Sequence, residues 1–138
     1  MATTTSSTEE LARENAELKS RLAQLERFAT VVQSSNEAIV SSVSDGTIVC
    51  WNAAAERLYG FTTGEAIGRS DLELVPFERL AEHESAVELA RRGASIVLET
   101  RRRRRDGTQI AVAVTYARLV DPDGKLLGIS TIAHAIFV

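Results

Sequence analysis

His83 is the side chain in this sequence best placed to do chemistry. Together with Leu80, Val87 and Ala90 it recurs at intervals of three and four residues within a predicted helix over 77–92, so these side chains share one face. A histidine on such a face points into the protein rather than into water, and a neutral imidazole there can ligate a metal. A partly buried structural histidine is the other interpretation of the same pattern.

The remaining reactive side chains form no catalytic pattern. Cys50 is the only cysteine and adjoins Trp51 in a predicted strand, which excludes a disulfide within the chain and a cysteine-based metal cluster. Neither histidine has a motif partner for nucleophilic catalysis, and His83-Glu84 does not complete the HExxH spacing of zinc proteases. We therefore predict that the protein is not an enzyme.

Five consecutive arginines at 101–105 are the residues most suggestive of nucleic-acid binding. Side chains alternate between the faces of a strand, so no more than three of the five share a side, and no aromatic residues lie between them to stack on bases. The formal net charge of -3 gives no general attraction to polyanions. We predict a solvated hairpin here and no nucleic-acid partner.

The composition predicts one globular domain with an appendage. The chain has 138 residues, of which 44% are hydrophobic, and this is enough for a real core. No apolar run reaches the length of a membrane span, and the N-terminal residues lack the apolar segment of a signal peptide. We expect a cytoplasmic protein without a membrane partner.

The elements that would position these side chains are organised around a central strand and helix. A β-branched and aromatic run over 47–51 predicts the strand. Asn52 is a preferred helix N-cap, and the alanine-rich helix that it would begin, over 53–59, ends at Gly60. One capping residue thus joins the strand to the helix.

Turn signals and alternating patterns divide the rest of the chain into short elements. Pro76 suits the first turn of the long helix, and Gly93 ends it. Asp-Gly pairs mark tight turns between strands. The further predicted elements are a capping box at Thr62 and Glu65, strands over 38–43, 96–105, 108–120 and 126–136, and turns at 106–107 and 121–124.

The predicted strand over 108–120 has two apolar faces. Ile110, Val112, Val114 and Tyr116 lie on one face, and the other carries three alanines and a threonine. A half-solvated antiparallel strand usually shows polar residues on one side. We predict that the alanine face is covered, either by the N-terminal helix or by a second subunit.

The segment over 51–68 resembles a known family. It reads WNAAAERLYGFTTGEAIG, which is similar to the W-N-x-A-A-E-x-L-Y-G-F-x-x-x-E-A-I-G motif of PAS domains, the sensory modules of bacterial signalling proteins. The resemblance continues at 99–107 (ETRRRRRDG) and at 121–124 (DPDG). It implies an α+β fold over 37–138, with a five-stranded antiparallel sheet and short helices on one face.

This resemblance implies a sensory domain that binds a small ligand in its core and signals to an output domain or protein. The alternative is a ligand-free module whose role is dimerisation. The residues expected to line a ligand cavity are Leu58, Phe61, Leu80, His83, Val87, Val112, Val114 and Ile129. The residues expected to form the structural motif are Trp51, Asn52 and Gly60.

Two cofactors of PAS domains bear on this sequence. In haem-binding members a histidine on the long helix ligates the iron, and His83 lies at that place, although Leu98 stands near the position of an arginine in those members. A haem-based gas or redox sensor is therefore a further alternative. Members that bond a flavin carry a cysteine after a Gly-Arg pair, whereas Gly68-Arg69 is followed by Ser70-Asp71-Leu72-Glu73, which excludes covalent flavin chemistry.

Residues 8–33 have the heptad pattern of a coiled coil, after a tail over 1–7 that is predicted to be disordered. The predicted seam and dimer interface consists of Leu11, Asn15, Leu18, Leu22, Leu25, Ala29 and Val32. Leucines at one seam position with a single asparagine at the other are typical of parallel dimers. We predict a parallel homodimer, and an amphipathic helix lying on its own domain is the alternative. The family's closing Asp-Ile-Thr is replaced by Ala135-Ile136-Phe137, so we expect either that the sequence is a fragment or an altered form of a longer one, or that this helix is the output.

Overall fold

The computed structural model describes residues 9–13, 16 and 36–136. The chain divides into two units after residue 33, and the described part of the second unit makes up the fold given below. In the first unit, residues 9–13 are helical and Leu11 is exposed. The predicted tail over 1–7 lies outside the described residues, and so do the seam residues Asn15, Leu18, Leu22, Leu25, Ala29 and Val32. The coiled coil therefore stays a prediction.

Five antiparallel strands form one sheet in the order β2-β1-β5-β4-β3. The strands are β1 (Ala38–Val43), β2 (Ile48–Trp51), β3 (Ile96–Arg103), β4 (Gln109–Val120) and β5 (Leu126–Ala135). The predicted five-stranded antiparallel sheet is confirmed. β3 ends two residues before the predicted boundary, because the backbone N–H of Arg105 donates to the Tyr59 carbonyl (2.8 Å) instead of to β4.

Short helices connect β2 to β3. They are α1 (Ala53–Tyr59), α2 (Thr63–Ala66), two 3₁₀ turns (Asp71–Leu74 and Phe77–Arg79) and α3 (Leu80–Arg91). The long helix predicted over 77–92 is thus split: its first three residues form a 3₁₀ turn after Pro76, and the α-helix begins at Leu80. The capping box of Thr62 and Glu65 is present as predicted.

Asn52 is the N-cap of α1, as predicted, and its side chain also bonds β1. Its side-chain Oδ1 accepts from the Ala55 N–H (2.9 Å), which caps α1, and from the Ile39 N–H (3.0 Å) in β1. Its Nδ2 donates to the Glu37 carbonyl (2.8 Å). At the other end of α1, Gly60 adopts the left-handed conformation (φ 87°) that glycine accepts without strain. One buried side chain therefore holds the start of β1 against the start of α1.

Two apolar clusters fill the space between the helices and the sheet. The first surrounds Trp51 and consists of Ala38, Val40, Ile48, Trp51, Ala55, Tyr59, Ala66 and Leu74. The second joins α3 to the sheet and consists of Ala86, Ala90, Val112, Val114, Tyr116, Ile129 and Ala133. Leu58 packs against both clusters, so the core is continuous across the sheet.

The other face of the sheet carries a row of partly exposed apolar side chains. Val97, Thr115, Ile132 and Ile39 lie opposite one another across β3, β4, β5 and β1. Val97 is 68% exposed and Ile132 is 39% exposed. On the same face the alanines of β4 are half-buried or exposed, and a cover over them stays a prediction.

Candidate functional site

Arg102 is buried, which corrects the prediction that the arginine run is a solvated hairpin. Only 4% of this residue is exposed, whereas Arg101 and Arg105 lie in solvent. The alternation of β3 explains the difference, because it turns the side chains of Thr100 and Arg102 toward the helices. Arg105 instead forms a surface ion pair with Glu65 (2.7 Å).

The guanidinium of Arg102 is part of a buried hydrogen-bonded network. Its Nη2 donates to the hydroxyl of Tyr116, and its Nη1 donates to the Arg101 carbonyl (2.9 Å). The same Tyr116 hydroxyl lies 2.6 Å from Nδ1 of His83. Arginine has donors only, so the tyrosine oxygen accepts from Arg102, and the direction of its hydrogen bond with His83 follows the tautomer of the imidazole. The network therefore joins β3 to β4 and to α3.

His83 is neutral in this network. Burial, followed by the positive charge of Arg102, lowers its pKa from 6.5 to about 4. In the tautomer whose Nδ1 accepts from the Tyr116 hydroxyl, the imidazole carries its own proton on Nε2. Burial also raises the pKa of the Tyr116 phenol, so that at neutral pH the only charge in this trio belongs to Arg102.

Asp71 approaches the same region from the opposite side. Hydrogen bonds of the segment after α2 bring it there: Ile48 N–H donates to the Arg69 carbonyl (2.8 Å), and Asp71 N–H donates to the Gly46 carbonyl (2.9 Å). The Asp71 carboxylate accepts a hydrogen bond from the Ser42 side chain, and burial raises its pKa. A carboxylate is thereby held beneath the β1–β2 turn.

Two cavities meet at these residues. The inner cavity has a volume of about 20 Å³, and its lining consists of Val40, Ser42, Tyr59, Asp71, Leu74, Val75, His83, Arg102, Tyr116, Ile129 and Thr131. The outer one is a cleft of about 330 Å³ that opens at the surface between the β1–β2 turn and α3. The residues common to both are Ser42, Asp71, His83 and Ile129. The inner cavity is thus the floor of the cleft.

The structure brings together only some of the residues predicted to line a ligand cavity. His83 and Ile129 line both cavities, and Val87 lines the cleft. Val112 and Val114 are buried in the second apolar cluster and line neither cavity. The other three line neither cavity: Leu58 packs between the clusters, Phe61 stacks edge-on against Trp51, and Leu80 begins α3.

Sequence reasoning missed the three residues that give the site its polar character, Arg102, Tyr116 and Asp71. Tyr116 was placed on the correct face of its strand, and the same alternation applied to the arginine run would have turned Arg102 inward. No local pattern marks Asp71, which reaches the site through a 3₁₀ turn and backbone pairing distant in sequence.

Haem does not fit the space beside His83 in this structure. The inner cavity holds about one water molecule, which is far less than the volume of a porphyrin. Among the described residues, no group of three His, Cys, Asp or Glu side chains could hold a metal ion. Cys50 lies in β2, half-buried and away from both cavities. No helix within the described part of the chain is long and apolar enough to cross a membrane.

Comparisons with known proteins agree with this architecture. A PAS domain from Colwellia psychrerythraea has 24% identity and a TM-score of 0.74, covering 81% of this chain and 96% of that one. The PAS domain of an HTR-like protein from Haloarcula marismortui has 23% identity and a TM-score of 0.66, covering 88% and 99%. A light-oxygen-voltage domain studied with a flavin analogue has 20% identity and a TM-score of 0.66, covering 78% and 83%.

These similarities, all below 25% identity, show the fold. No curated protein is significantly similar to the chain. The family profile of the PAS fold matches residues 26–136, which is most of the sequence and includes every residue of the site. The chain therefore belongs to the PAS family, whose members act as sensory and signalling modules.

Proposed function

We propose that this PAS domain is a sensor that binds a small polar ligand where the cleft meets the inner cavity. The observation that carries the proposal is the buried network of Arg102, Tyr116 and His83 at the floor of a cleft that opens to solvent. Ligand sites are concave, and a few buried polar groups in them fix the orientation of the ligand. A buried charge is also costly unless something pairs with it.

The cleft lies between two elements that a ligand could move relative to each other. Nη2 of Arg91, near the end of α3, donates to the carbonyl of Ser44 in the β1–β2 turn (2.9 Å). Both residues line the cleft, and this hydrogen bond spans it. A ligand that enters the cleft would therefore change the contact between α3 and β1.

The route from this site to an output would run through β1. Ser42 of β1 lines both cavities, and the strand begins at Ala38, only a few residues after the predicted coiled coil over 8–33. Ligand binding would alter the packing of a coiled-coil dimer only if two dimer arrangements differ in ligand affinity. The similar light-oxygen-voltage domain studied with a flavin analogue supports a ligand-binding role for the fold.

A module for assembly alone is the second candidate function. It is favoured by the small size of the inner cavity, about 20 Å³, since a filled core has no space for a ligand. In that case the cleft would be an ordinary surface depression, and the homodimer would be the functional state.

One experiment separates the two candidates. Native mass spectrometry and an absorption spectrum of the purified protein would detect a retained ligand or chromophore, and a thermal-shift screen of small polar compounds would detect a weakly bound one. The sensory proposal expects at least one compound to stabilise the wild type and not a variant with the cleft filled by Ser42→Phe. If no compound does so while light scattering shows a dimer, the assembly function replaces it.

The dimer itself is tested by replacing Leu18 and Leu25 with glutamate. Two unpaired charges in the predicted seam should abolish association, because each would be buried without a partner. Light scattering at micromolar concentration measures the result, with glutamate at a heptad position outside the predicted seam, Ser20→Glu, as the control. A monomeric wild type would end the coiled-coil proposal.

A further inference from the structure

Arg102 carries a buried positive charge that no carboxylate neutralises directly. Of the five N–H donors of a guanidinium, the structure assigns partners to those that reach the Tyr116 hydroxyl and the Arg101 carbonyl. Within residues 36–136 the side chain forms no ion pair, and the ion pairs that do occur there lie at the surface. Buried arginines are normally paired with an anion. Arg102 is therefore available to an anionic group from outside the chain.

Asp71 carries a partly buried negative charge that also has no ion-pair partner within the described domain. Its carboxylate accepts hydrogen bonds from the Ser42 side chain and from its own turn, and it forms no ion pair with any residue of the described domain. It lines the inner cavity together with Arg102. The two opposite charges influence each other across this space, since Arg102 lowers the pKa of Asp71, yet they form no ion pair.

The other groups at the floor are uncharged. His83 is neutral, Tyr59 and Tyr116 are protonated phenols, and Ser42 and Thr131 carry hydroxyls. The floor therefore holds one positive and one negative charge on separate groups. A simple anion at Arg102 would be repelled by Asp71, and a simple cation at Asp71 would be repelled by Arg102. A ligand with both charges satisfies both groups.

We propose that the site binds a free α-amino acid, with its carboxylate at Arg102 and its ammonium group at Asp71. This inference rests on the proposed sensory function and specifies the ligand class. The inner cavity of about 20 Å³ has room for a carboxylate oxygen in place of one water, and the cleft of about 330 Å³ has room for the side chain.

The walls of the cleft specify which side chain suits it. Val87 and Ile129 offer apolar surface next to the floor. Further out, Asp45, Glu84 and Glu88 line the cleft, with Arg91 as its one basic residue. The acidic excess favours lysine or arginine over glutamate, although its exposed charges are screened by solvent and contribute less than the two groups at the floor.

The test uses amino acids and analogues that each lack one charge. Binding of L-lysine to the full chain is measured by isothermal titration and by thermal shift at constant ionic strength and neutral pH. L-lysine methyl ester lacks the carboxylate, and Nα-acetyl-L-lysine lacks the α-ammonium group. Each should bind at least about tenfold more weakly than L-lysine, as expected for a lost hydrogen bond between charged groups. L-glutamate should bind more weakly than L-alanine.

Variants test the same two contacts from the protein side. Arg102→Met and Asp71→Asn should each reduce the affinity for L-lysine at least about tenfold. Arg101→Met, next to the site but exposed, should leave the affinity unchanged. Circular dichroism confirms that each variant is folded, and the analogue series on the wild type decides the question should a variant fail to fold.

The outcomes separate this inference from the function on which it rests. Equal binding of the ester or of the acetylated analogue would overturn the amino-acid assignment. So would binding of acetate or methylamine alone as tight as that of L-lysine. If amino acids fail but another compound stabilises the wild type and is lost in Ser42→Phe, the ligand class is wrong and the sensory function stands. If no compound binds at all, both proposals fail.

Discussion

The two halves of the core of this domain differ in how their buried polar side chains are paired. Around Trp51, two buried polar side chains are fully bonded: Asn52 bonds three backbone groups, and the indole Nε1 donates to the Phe61 carbonyl (3.0 Å). Around Tyr116, a buried arginine lacks a counterion, a histidine is kept neutral, and a small cavity remains. The first half uses these side chains to join elements of the fold, whereas the second contains a charge that no ion pair within the described domain neutralises.

This difference has a physical meaning. Buried groups that are fully satisfied stabilise one conformation, and a buried charge without a counterion lowers stability. In many proteins such charges occur at functional sites. Substitutions in the two halves should therefore affect stability and binding in opposite proportions.

The largest loss of stability should come from Asn52→Ala in the first half. The substitution removes the cap of α1 and leaves the buried N–H groups of Ile39 and Ala55 without an acceptor, which should cost about 3 kcal/mol. Urea denaturation measures the loss. Thr62→Ala, which removes an exposed cap from α2, is the matched control and should cost clearly less. Equal losses would show that the ties of Asn52 to β1 are unimportant.

The second half should make stability depend on pH through His83. The unfolded chain protonates this histidine below its ordinary pKa of 6.5, but the folded domain does so only near about 4. The free energy of unfolding should therefore have its full value above pH 6.5 and fall by about 2 to 3 kcal/mol as the pH drops to 4. Asp71, with its raised pKa, acts in the opposite sense and reduces the slope.

Variants identify the source of this dependence. His83→Gln should remove most of the slope between pH 6.5 and 4, measured by urea denaturation at a series of pH values. His134→Gln, at an exposed position on β5, should keep it. A slope that persists in His83→Gln would mean that another group titrates in this window.

Arg102→Met should have a smaller effect on stability, and of the opposite sign to Asn52→Ala. It removes a buried charge that has no counterion and replaces it with an apolar chain of similar length, while one hydrogen bond to Tyr116 is lost. We expect a gain of about 1 kcal/mol in the free energy of unfolding. A loss of several kcal/mol would place Arg102 with the stabilising half of the core and remove the contrast.

The smallest effect should come from Arg105→Gln. This arginine lies three residues after Arg102, and its ion pair with Glu65 is exposed. Exposed ion pairs contribute little, because water and salt screen them. The melting temperature should be unchanged within error. A marked decrease would mean that the turn after β3 depends on this ion pair.

The sequence predicted the first half of the core far better than the second. The N-cap at Asn52 and the helix end at Gly60 follow from local preferences of single residues, and the structure has both. Local sequence patterns do not predict the hydrogen bonds of Asn52 with Ile39 and Glu37, because these bonds join residues that are distant in sequence. Loss of a cap alone would cost about 1 kcal/mol, less than the value expected above for Asn52→Ala.

The second half depends on information that a local pattern does not contain. A run of identical arginines shows no alternation of residue type, so the inward turn of Arg102 had to come from the strand and not from its composition. The approach of Asp71 depends on backbone pairing with the β1–β2 turn. Whether a cavity remains is decided by packing in three dimensions, which residue types do not specify.

Arg102 limits the hydrogen bonds that Tyr116 can make. Arginine cannot accept a hydrogen bond, so the Tyr116 oxygen accepts from Arg102 at every pH where the guanidinium keeps its proton. The bond to His83 is different, because Nδ1 accepts from the hydroxyl in one tautomer and donates to it in the other tautomer and in the protonated ring. Protonation of His83, with its pKa of about 4, therefore makes Nδ1 a donor toward Tyr116. The three side chains thus share one hydrogen bond of fixed direction and one whose direction follows the proton of His83.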